Sequence, residues 1–180
     1  MIISKRFPGE KHDIREFVQP DTIMVRELAL TLMGGNDFVT AAWQWVCNNI
    51  KYPPGDLASN DRHYLEAFSG GRWLGVPVPI LTLEARDFWQ FPSETLAFRM
   101  GDCDDMAILL GSLLRTQLSE RDVFCVAGYF NGMGHMWVRY KDLVLDPTPF
   151  GGGKIMPLTV GRPYRPLMDF NDKVYLSAAS

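Results

Sequence analysis

The sequence predicts an α+β fold, because helical and strand-like hydrophobic patterns occupy different parts of the chain. Apolar residues recur with a period of 3.6 in three windows before residue 115, and with a period of 2 in the residues that follow. With 180 residues, 47% of them hydrophobic and 22% charged, the chain has the size and composition of one globular domain. We therefore expect helices packed against one antiparallel sheet.

The first fifty residues predict two helices. Residues 1–36 form an N-terminal arm, with one helical turn at 14–18, followed by a helix that ends at the glycine pair 34–35. A second helix, capped by Asp37 or by the asparagine before it, extends to Ile50, where a Pro-Pro-Gly run stops it.

Residues 55–98 show no clear periodicity, because proline and glycine interrupt every run. The segment is rich in bulky aromatic side chains, at Trp73, Phe88, Trp89 and Phe91. Two interpretations stay open for these aromatics: they wall a cleft, or they pack on the core, as most aromatic residues do.

The clearest helix follows, and it begins at an acidic cysteine motif, RMGDCDD. Apolar residues from Met106 onward recur at the spacing of one helix face. Asp102 occupies the N-cap position, and Asp105 three residues later completes a capping box. Cys103 is then the first helical residue, where the helix dipole favours the thiolate. The three carboxylates, Asp104 included, oppose that ionisation, so the cysteine needs a cationic partner such as an imidazole.

Beyond this helix, the alternating pattern predicts an antiparallel meander and then irregular chain. The predicted elements are strands at 123–130, 135–140 and 143–146, turns at 131–134 and 141–142, and a coil-rich tail at 149–180 that ends in a short strand at 173–177. The residues between the arm and this tail, 37–148, form the predicted catalytic core of a single domain.

The register of the predicted hairpin brings a histidine and an aspartate together. Alternation places His135 and Trp137 on one face of the second strand, and Asp146 on the same face of the third. With a two-residue turn, Trp137 lies opposite Asp146, and His135 is a diagonal neighbour, with backbones roughly 7 to 8 Å apart. Asp146 can then orient the imidazole. A three-residue loop would reverse the faces and separate the two side chains.

A cysteine at a helix start, a histidine and an aspartate that orients it are the groups that triad catalysis requires. The thiolate of Cys103 would attack an amide or ester carbonyl, His135 would protonate the leaving group, and a thioester would follow. Water resolves a thioester by hydrolysis and an amine resolves it by transfer, and the three residues do not choose between them. Two alternatives remain: Cys103 is a buried structural cysteine, or the chain is a catalytically idle binding or assembly module.

The segments that carry these residues resemble the transglutaminase-like superfamily, whose catalytic cysteine, histidine and aspartate follow in this order. The matching motifs are GDCDD, GHMWV and LDPT, and the resemblance covers about residues 41–147. It implies a papain-like α+β core, with the cysteine at the start of a central helix packed on an antiparallel sheet. Bacterial transglutaminase-like cysteine peptidases are the most similar group, which implies a peptidase or amidase acting on peptide or isopeptide bonds of a protein or peptide substrate.

The same resemblance implies two further groups of site residues. An oxyanion-stabilising side chain is expected upstream of the cysteine, with Gln90 as the first candidate and Trp89 as the second. No cofactor is required by the triad chemistry, but some related peptidases depend on calcium. A calcium site would use Asp102, Asp104 and Asp105, whose role in capping the helix is the simpler explanation.

Composition excludes several other classes of protein. A net charge of −3 gives no reason to expect nucleic acid or an anionic membrane as partner. Three widely spaced cysteines do not form a disulfide framework, and we expect Cys47 and Cys125 to be inert core residues. The sequence shows neither a signal peptide nor a membrane span, so we expect a cytoplasmic protein whose oligomeric state stays open.

Overall fold

The computed structural model describes residues 1–6, 9–35, 37–53, 72–73, 76–77, 88–151, 155–158 and 163–177. Within these ranges, helices pack against a six-stranded antiparallel sheet, so the fold class is α+β, as predicted. The helices are α1 (Ile23–Leu32), α2 (Phe38–Asn49), α3 (Pro92–Phe98) and α4 (Cys103–Arg115), with 3₁₀ turns at Ile14–Phe17 and Pro149–Gly151. The strands are β1 (Ile2–Ile3), β2 (His12–Asp13), β3 (Arg72–Trp73), β4 (Val76–Pro77), β5 (Val123–Phe130), β6 (Met133–Tyr140), β7 (Leu143–Leu145), β8 (Ile155–Pro157), β9 (Tyr164–Phe170) and β10 (Tyr175–Ser177).

The sheet has the strand order β10-β9-β5-β6-β7-β8, and β5 and β6 form its central hairpin. The turn between them is shorter than predicted. It contains Asn131 and Gly132 alone, with φ values of 49° and 83°, which is the two-residue turn that suits the twist of a hairpin. β6 therefore begins at Met133, two residues earlier than expected.

The next hairpin has the predicted two-residue turn. Tyr140 pairs with Leu143, so Lys141 and Asp142 form the loop. Val138 pairs with Leu145 in the same ladder, and continuing this register places residue 137 opposite residue 146. The predicted register is confirmed.

The expectation of a coil-rich tail is wrong for part of 149–180. β9 pairs with β5 along most of its length, and β8 forms one edge of the sheet. The strand at the other edge, β10, lies within the short strand predicted at 173–177, so that part of the prediction is confirmed. The segment contains several prolines, which disfavour regular strands. Pro166 lies where the β5–β9 register shifts, and proline is tolerated at such irregularities because a ladder hydrogen bond is already missing.

Helix α4 lies at the centre of the molecule. Its residues from Asp104 to Leu114 are all buried, and it contacts the helices α1, α2 and α3 as well as the strands β5 and β6. The approach to β5 is close: the thiol of Cys125 donates to the carbonyl of Ala107 at 3.4 Å, beside Gly111. This packing fixes the start of α4 relative to the sheet.

The shorter helices agree with the sequence in part. Asp37 caps α2, and its carboxylate accepts from the backbone N–H of Thr40 at 3.2 Å; the alternative cap, residue 36, lies outside the described residues. α1 ends before the glycine pair, as expected, but neither glycine has a positive φ. α3 was not predicted, because Pro92 suggested an interruption, whereas it begins this helix.

Most of the stretch 55–98 lies outside the described residues. Of its four aromatics, Phe88 and Trp89 are buried and Phe91 is half-buried, whereas the side chain of Trp73 is not among those described. No helix in the described part of the chain has the length and apolar character needed to cross a membrane.

Candidate active site

A cleft of about 550 Å³ is lined by both Cys103 and His135. The start of α4 contributes Asp102, Cys103 and Asp104 to its wall, and the start of β6 contributes His135 and its neighbours. Because α4 packs against β6, the starts of these two elements line one cleft, and the cysteine and the histidine share it.

Cys103 is the first residue of α4 and is half-buried. Asp102 is the N-cap, and its backbone N–H donates to the carboxylate of Asp105 at 3.3 Å, which is the predicted capping-box contact. The sulfur therefore lies at the positive end of the helix dipole, which favours the thiolate. The buried carboxylates beside it disfavour the thiolate, because they carry like charge. Activation of this thiol depends on a further group.

A histidine of β6, His135, lines the same cleft. The Nε2 atom of His135 lies 2.8 Å from Oδ2 of Asp146, and both side chains are buried. Because an ionised carboxylate only accepts hydrogen bonds, the imidazole carries its proton on Nε2. Nδ1 is then the basic nitrogen of the neutral ring, and it is the atom that can accept a proton from a thiol.

Asp146 is held by a set of donors that sequence reasoning missed. The backbone N–H and the hydroxyl of Thr148 donate to Oδ1 at 2.9 and 2.7 Å, and the hydroxyl of Tyr164 donates to Oδ2 at 2.8 Å. The indole of Trp43 donates to the backbone carbonyl of Asp146 at 3.0 Å. The side chain of Asp146 is 0% exposed, so protein donors make the hydrogen bonds that water makes to an exposed carboxylate.

Of the two residues that donate to the carboxylate of Asp146, Thr148 could have been predicted from the sequence and Tyr164 could not. Thr148 stands two residues after Asp146, the spacing at which an aspartate accepts from the backbone that follows it. Tyr164 lies on β9, within the segment that sequence reasoning predicted as coil. Burial raises the pKa of Tyr164 well above its ordinary value, and the negative charge of Asp146 raises it further, so the phenol remains a donor.

The two oxyanion candidates have different surroundings. Trp89 lines the cleft. Gln90 is 1% exposed; its backbone N–H donates to Oδ1 of Asp105 at 2.7 Å, and its side-chain amide donates to Oδ2 at 2.9 Å and to the carbonyl of Met100 at 3.3 Å. The described contacts of Gln90 thus join the segment before α3 to the first turn of α4.

A buried ion pair holds the same segment from the other side. The guanidinium of Arg6 donates to both carboxylate oxygens of Glu94 at 2.7 Å and to the carbonyl of Trp89 at 2.9 Å. It also lies 4.1 Å from the ring centre of Phe91. The N-terminal arm therefore packs beside the cleft, and its residues Met1, Ile3 and Lys5 line it.

Tyr52 is another nearby group without a sequence signal. Lys51 pairs with the segment that precedes α4: its N–H donates to the carbonyl of Arg99 at 2.9 Å, and its carbonyl accepts from Gly101 at 3.1 Å. Burial raises the pKa of Tyr52 well above its usual range, and the negative charges of Asp102, Asp104 and Asp146 raise it further. A neutral phenol therefore lies near the start of α4.

The other two cysteines are not equivalent to Cys103. Burial raises the pKa of the Cys47 thiol to about 11, and burial also raises the pKa of the Cys125 thiol well above its ordinary value. Neither residue lines the cleft. Both are therefore poorly reactive, in agreement with the expectation of inert core cysteines.

The three acidic residues proposed for calcium lie close together. Asp102, Asp104 and Asp105 are buried, and each offers a carboxylate oxygen within 4.8 Å of the others. Asp105 accepts from Gln90 on both oxygens, and Asp104 accepts the backbone N–H of Asp105 at 2.8 Å. The hydrogen bonds that Asp105 accepts from Gln90 and from the N–H of Asp102 therefore explain its position without an ion.

The described structure defines an α+β protein whose cleft brings together a cysteine and a histidine that is hydrogen-bonded to a buried aspartate. No protein-family model and no curated protein matches the chain. Among solved structures it is similar to LapG of Legionella pneumophila. The EGTA-treated form is 19% identical over 91% of this chain and 88% of that chain, with a TM-score of 0.49.

Two other structures of the same protein give similar values. One is 19% identical over 90% of this chain and 89% of that chain, with a TM-score of 0.48. The calcium-bound form is 18% identical over 89% of this chain and 88% of that chain, with a TM-score of 0.45.

Proposed function

We propose that the chain is a thiol hydrolase of the transglutaminase-like type, a peptidase or amidase that uses Cys103, His135 and Asp146. The observation that carries the proposal is the 2.8 Å contact between His135 and the buried Asp146, in a cleft that Cys103 also lines. The order of the three residues along the chain, and the helix and hairpin that present them, support the same proposal.

The mechanism follows from the positions of these groups. Nδ1 of His135 takes the thiol proton of Cys103, and the thiolate attacks the carbonyl carbon of a peptide or isopeptide bond. The imidazolium, stabilised by Asp146, then protonates the amine nitrogen as the carbon–nitrogen bond breaks. A thioester remains on Cys103. Water, deprotonated by His135, attacks this thioester and releases the carboxylic acid and the free thiol.

The negative charge that develops on the carbonyl oxygen needs hydrogen-bond donors. The backbone N–H of Cys103 is our first candidate, because it belongs to the residue whose sulfur attacks and it lies at the start of α4, where the helix dipole favours negative charge. Trp89 is the better placed of the two side-chain candidates, because it lines the cleft, whereas the described contacts of Gln90 are with Asp105 and Met100. We therefore assign Gln90 to holding the helix start and Trp89 to the oxyanion.

Acyl transfer to an amine is the second candidate function. Asp102 and Asp104 line the cleft beside Cys103, and their carboxylates favour a cationic acceptor such as a lysine side chain. In that case the amine, and not water, resolves the thioester. An idle binding or assembly module of the same fold is the third candidate, and it requires no reactivity at Cys103.

Calcium is the one cofactor that the acidic cluster suggests. Asp102 and Asp104 would hold the ion next to the nucleophile, while Asp105 would continue to accept from Gln90. Activity assays with added calcium and with a chelator decide whether the ion is needed. We expect the thiol of Cys103 to react with a small alkylating reagent both with added calcium and with a chelator.

Alkylation by iodoacetamide, followed by mass spectrometry at each cysteine across a range of pH, tests the proposal. We expect Cys103 to react at neutral pH faster than an ordinary thiol of pKa about 8.5, and we expect this advantage to disappear in His135→Ala. A pH profile of Cys103 that equals that of the ordinary thiol rejects the activated nucleophile. Incubation of candidate protein substrates with a primary amine probe then separates transfer from hydrolysis, with Cys103→Ala as the control.

A further inference from the structure

Strand β9 departs from regular pairing where it borders the cleft. In its ladder with β5, Ala127 pairs with Met168 and the next residue, Gly128, pairs with Pro166, so Leu167 is an extra residue in a β-bulge. Neighbouring residues of a regular strand face opposite sides of the sheet. Here Leu167 and Met168 are neighbours and both line the cleft. The bulge therefore adds an apolar side chain to the cleft wall.

The partner strand is adapted to this irregularity. A Cβ atom on Gly128 would lie 2.1 Å from the backbone oxygen of Arg165, which is closer than any real contact of such atoms. A backbone atom cannot turn aside as a side chain can, so the close approach of β9 requires glycine at this position. The bulge is thus built into both strands.

The N-terminal arm supplies a second part of the apolar lining. Ile3 is half-buried and lines the cleft, whereas Ile2, which alternates with it on β1, is 63% exposed and does not. The arm is anchored on both sides of Ile3: the N–H of Ile14 donates to the carbonyl of Met1 at 2.9 Å, and the N–H of Trp89 donates to that of Lys5 at 2.8 Å. Ile3 is therefore held in the cleft wall by backbone contacts.

We propose that Leu167, Met168 and Ile3 form a specificity subsite that accepts an aliphatic side chain of the polypeptide substrate. The inference rests on the proposed function, and it deepens it by naming the kind of residue that lies next to the bond cleaved. Cys103 and His135 line the same cleft, so a side chain bound against these three residues belongs to a position close to the reacting carbonyl.

The chemistry of the subsite favours an apolar occupant. Leu167 is 40% exposed, and covering it with an aliphatic side chain removes apolar surface from water on both partners. Leu167, Met168 and Ile3 carry no hydrogen-bonding side-chain group, so a charged side chain placed against these three residues would lose hydration without gaining a partner from them.

Two peptidyl chloromethyl ketones test the subsite, one with leucine and one with glycine next to the reactive group. In each, the thiolate of Cys103 forms a bond to the methylene carbon and chloride leaves. We expect the leucyl probe to label Cys103 at least about tenfold faster than the glycyl probe. Leu167→Ser and Ile3→Ser should remove most of this preference, while the rate with iodoacetamide, which has no side chain to place, stays unchanged.

Matched variants separate the subsite from general loss of apolar surface. Ile2→Ser changes the neighbour of Ile3, and Leu176→Ser changes a leucine of β10 that is 48% exposed and does not line the cleft. Both should keep the preference for the leucyl probe. Equal loss in the control variants, or equal labelling by both probes in the unmodified protein, overturns the subsite and leaves the proposed function intact.

A binding measurement that does not need the thiol tests the subsite if the proposed function fails. If Cys103 reacts with iodoacetamide like an ordinary thiol, the proposed function fails, and binding is measured with Cys103→Ala and N-acetyl-leucine methylamide. The methyl NMR signals of Leu167, Met168 and Ile3 should shift on addition, and those of Leu176 should not. Absence of these shifts overturns the subsite independently.

Discussion

The hydrogen bond between His135 and Asp146 determines which nitrogen of the imidazole is available for chemistry. Asp146 receives two bonds from Thr148 on one oxygen and bonds from Tyr164 and His135 on the other, so its orientation is fixed by donors on three sides. A carboxylate held in this way keeps the proton of His135 on Nε2. The basicity of Nδ1 in the cleft therefore depends on a residue that never touches substrate.

Asp146→Asn tests whether Asp146 keeps the proton of His135 on Nε2, because it replaces one carboxylate oxygen by an NH₂ group. The amide can still accept from Thr148 through its oxygen, but its NH₂ group faces Nε2 of His135 and places the imidazole proton on Nδ1. We expect the hydrolytic rate to fall by roughly 10⁴-fold, as for the equivalent change in a serine protease triad. The measurement is the rate of peptide hydrolysis, with Tyr164→Phe as the control.

Tyr164→Phe removes one donor to Asp146 and leaves the carboxylate in place. It should cost about 0.5 to 1.5 kcal/mol of unfolding free energy, the value of one hydrogen bond, and it should preserve most of the activity. If Asp146→Asn is no slower than Tyr164→Phe, the tautomer argument is wrong.

Cys47 gives a pH dependence whose sign follows from its raised pKa. Burial raises this pKa from 9.0 to about 11, so between these values the unfolded chain loses the thiol proton and the folded protein keeps it. The stabilising contribution is complete below pH 9 and is lost as the pH rises to about 11. Urea unfolding across this range should show a shallower decline in Cys47→Ala, and an identical slope in both proteins contradicts the assignment.

The positions of the candidate site residues in the fold could be predicted from the sequence where the pattern is local. Helix periodicity placed Cys103 at a helix start, and strand alternation with a two-residue turn placed His135 and Asp146 on one face. Tyr164 could not be found in this way, because its contact with Asp146 depends on how β9 pairs with β5, and pairing between distant strands leaves no local pattern.

At the scale of the element, the contact between α4 and β5 sets the distance of the helix from the sheet. A Cβ atom on Gly111 would lie 2.5 Å from the sulfur of Cys125. A cysteine side chain is short, and this thiol already donates to the carbonyl of Ala107, so it has little room to move. The glycine in the middle of the helix is thus explained by packing.

Gly111→Ala should therefore destabilise the protein by about 1 to 3 kcal/mol, the usual cost of overpacking a core. In a Cys125→Ala background the sulfur is absent, and the same substitution should become neutral or stabilising, because alanine is favoured over glycine in a helix by about 1 kcal/mol. Urea unfolding of the four proteins in this cycle measures the coupling. Equal effects of Gly111→Ala in both backgrounds exclude the proposed clash.

Elements differ in how well the sequence predicts them, for reasons of physical chemistry. α4 and the β5–β6–β7 meander have strong periodicity and short connections, and they were predicted with errors of two residues or fewer at their ends. α3 was missed because a proline can begin a helix as well as interrupt one. β9 was missed because Pro166 disfavours a regular strand, and the bulge that tolerates it forms only in contact with Gly128.

At the scale of the whole molecule, the cleft is assembled from parts of the chain that are distant in sequence. The arm, the segment before α3, the start of α4, the β5–β6 hairpin and β9 each contribute to its lining. The buried pair of Arg6 and Glu94 joins the first two of these parts, and Gln90 with Asp105 joins the second to the third. The position of Cys103 in the cleft therefore depends on contacts along most of the described chain.

Glu94→Gln tests the importance of the first link. It removes the charge of the carboxylate that lies 2.7 Å from the buried guanidinium of Arg6 and leaves Glu10, which is 3.7 Å away and 45% exposed. We expect a cost of about 3 kcal/mol of unfolding free energy, the lower end for a broken buried pair. Replacing both partners, as Arg6→Met with Glu94→Gln, should cost much less, because the buried charges of the pair are gone and the glutamine oxygen can still accept from the N–H of Phe91. Labelling of Cys103 by the leucyl chloromethyl ketone should slow in Glu94→Gln, because Ile3 lies on the arm that this pair anchors.

An exposed ion pair on the same arm provides the control. Arg15 lies 2.8 Å from Asp13, but its side chain is 47% exposed, so water solvates either charge when its partner is removed. Arg15→Ala should leave both the unfolding free energy and the labelling of Cys103 nearly unchanged. If Arg15→Ala is as damaging as Glu94→Gln, burial of the Arg6–Glu94 pair is not what anchors the arm. If Glu94→Gln unfolds more easily but labels Cys103 at the normal rate, the pair stabilises the fold without shaping the cleft.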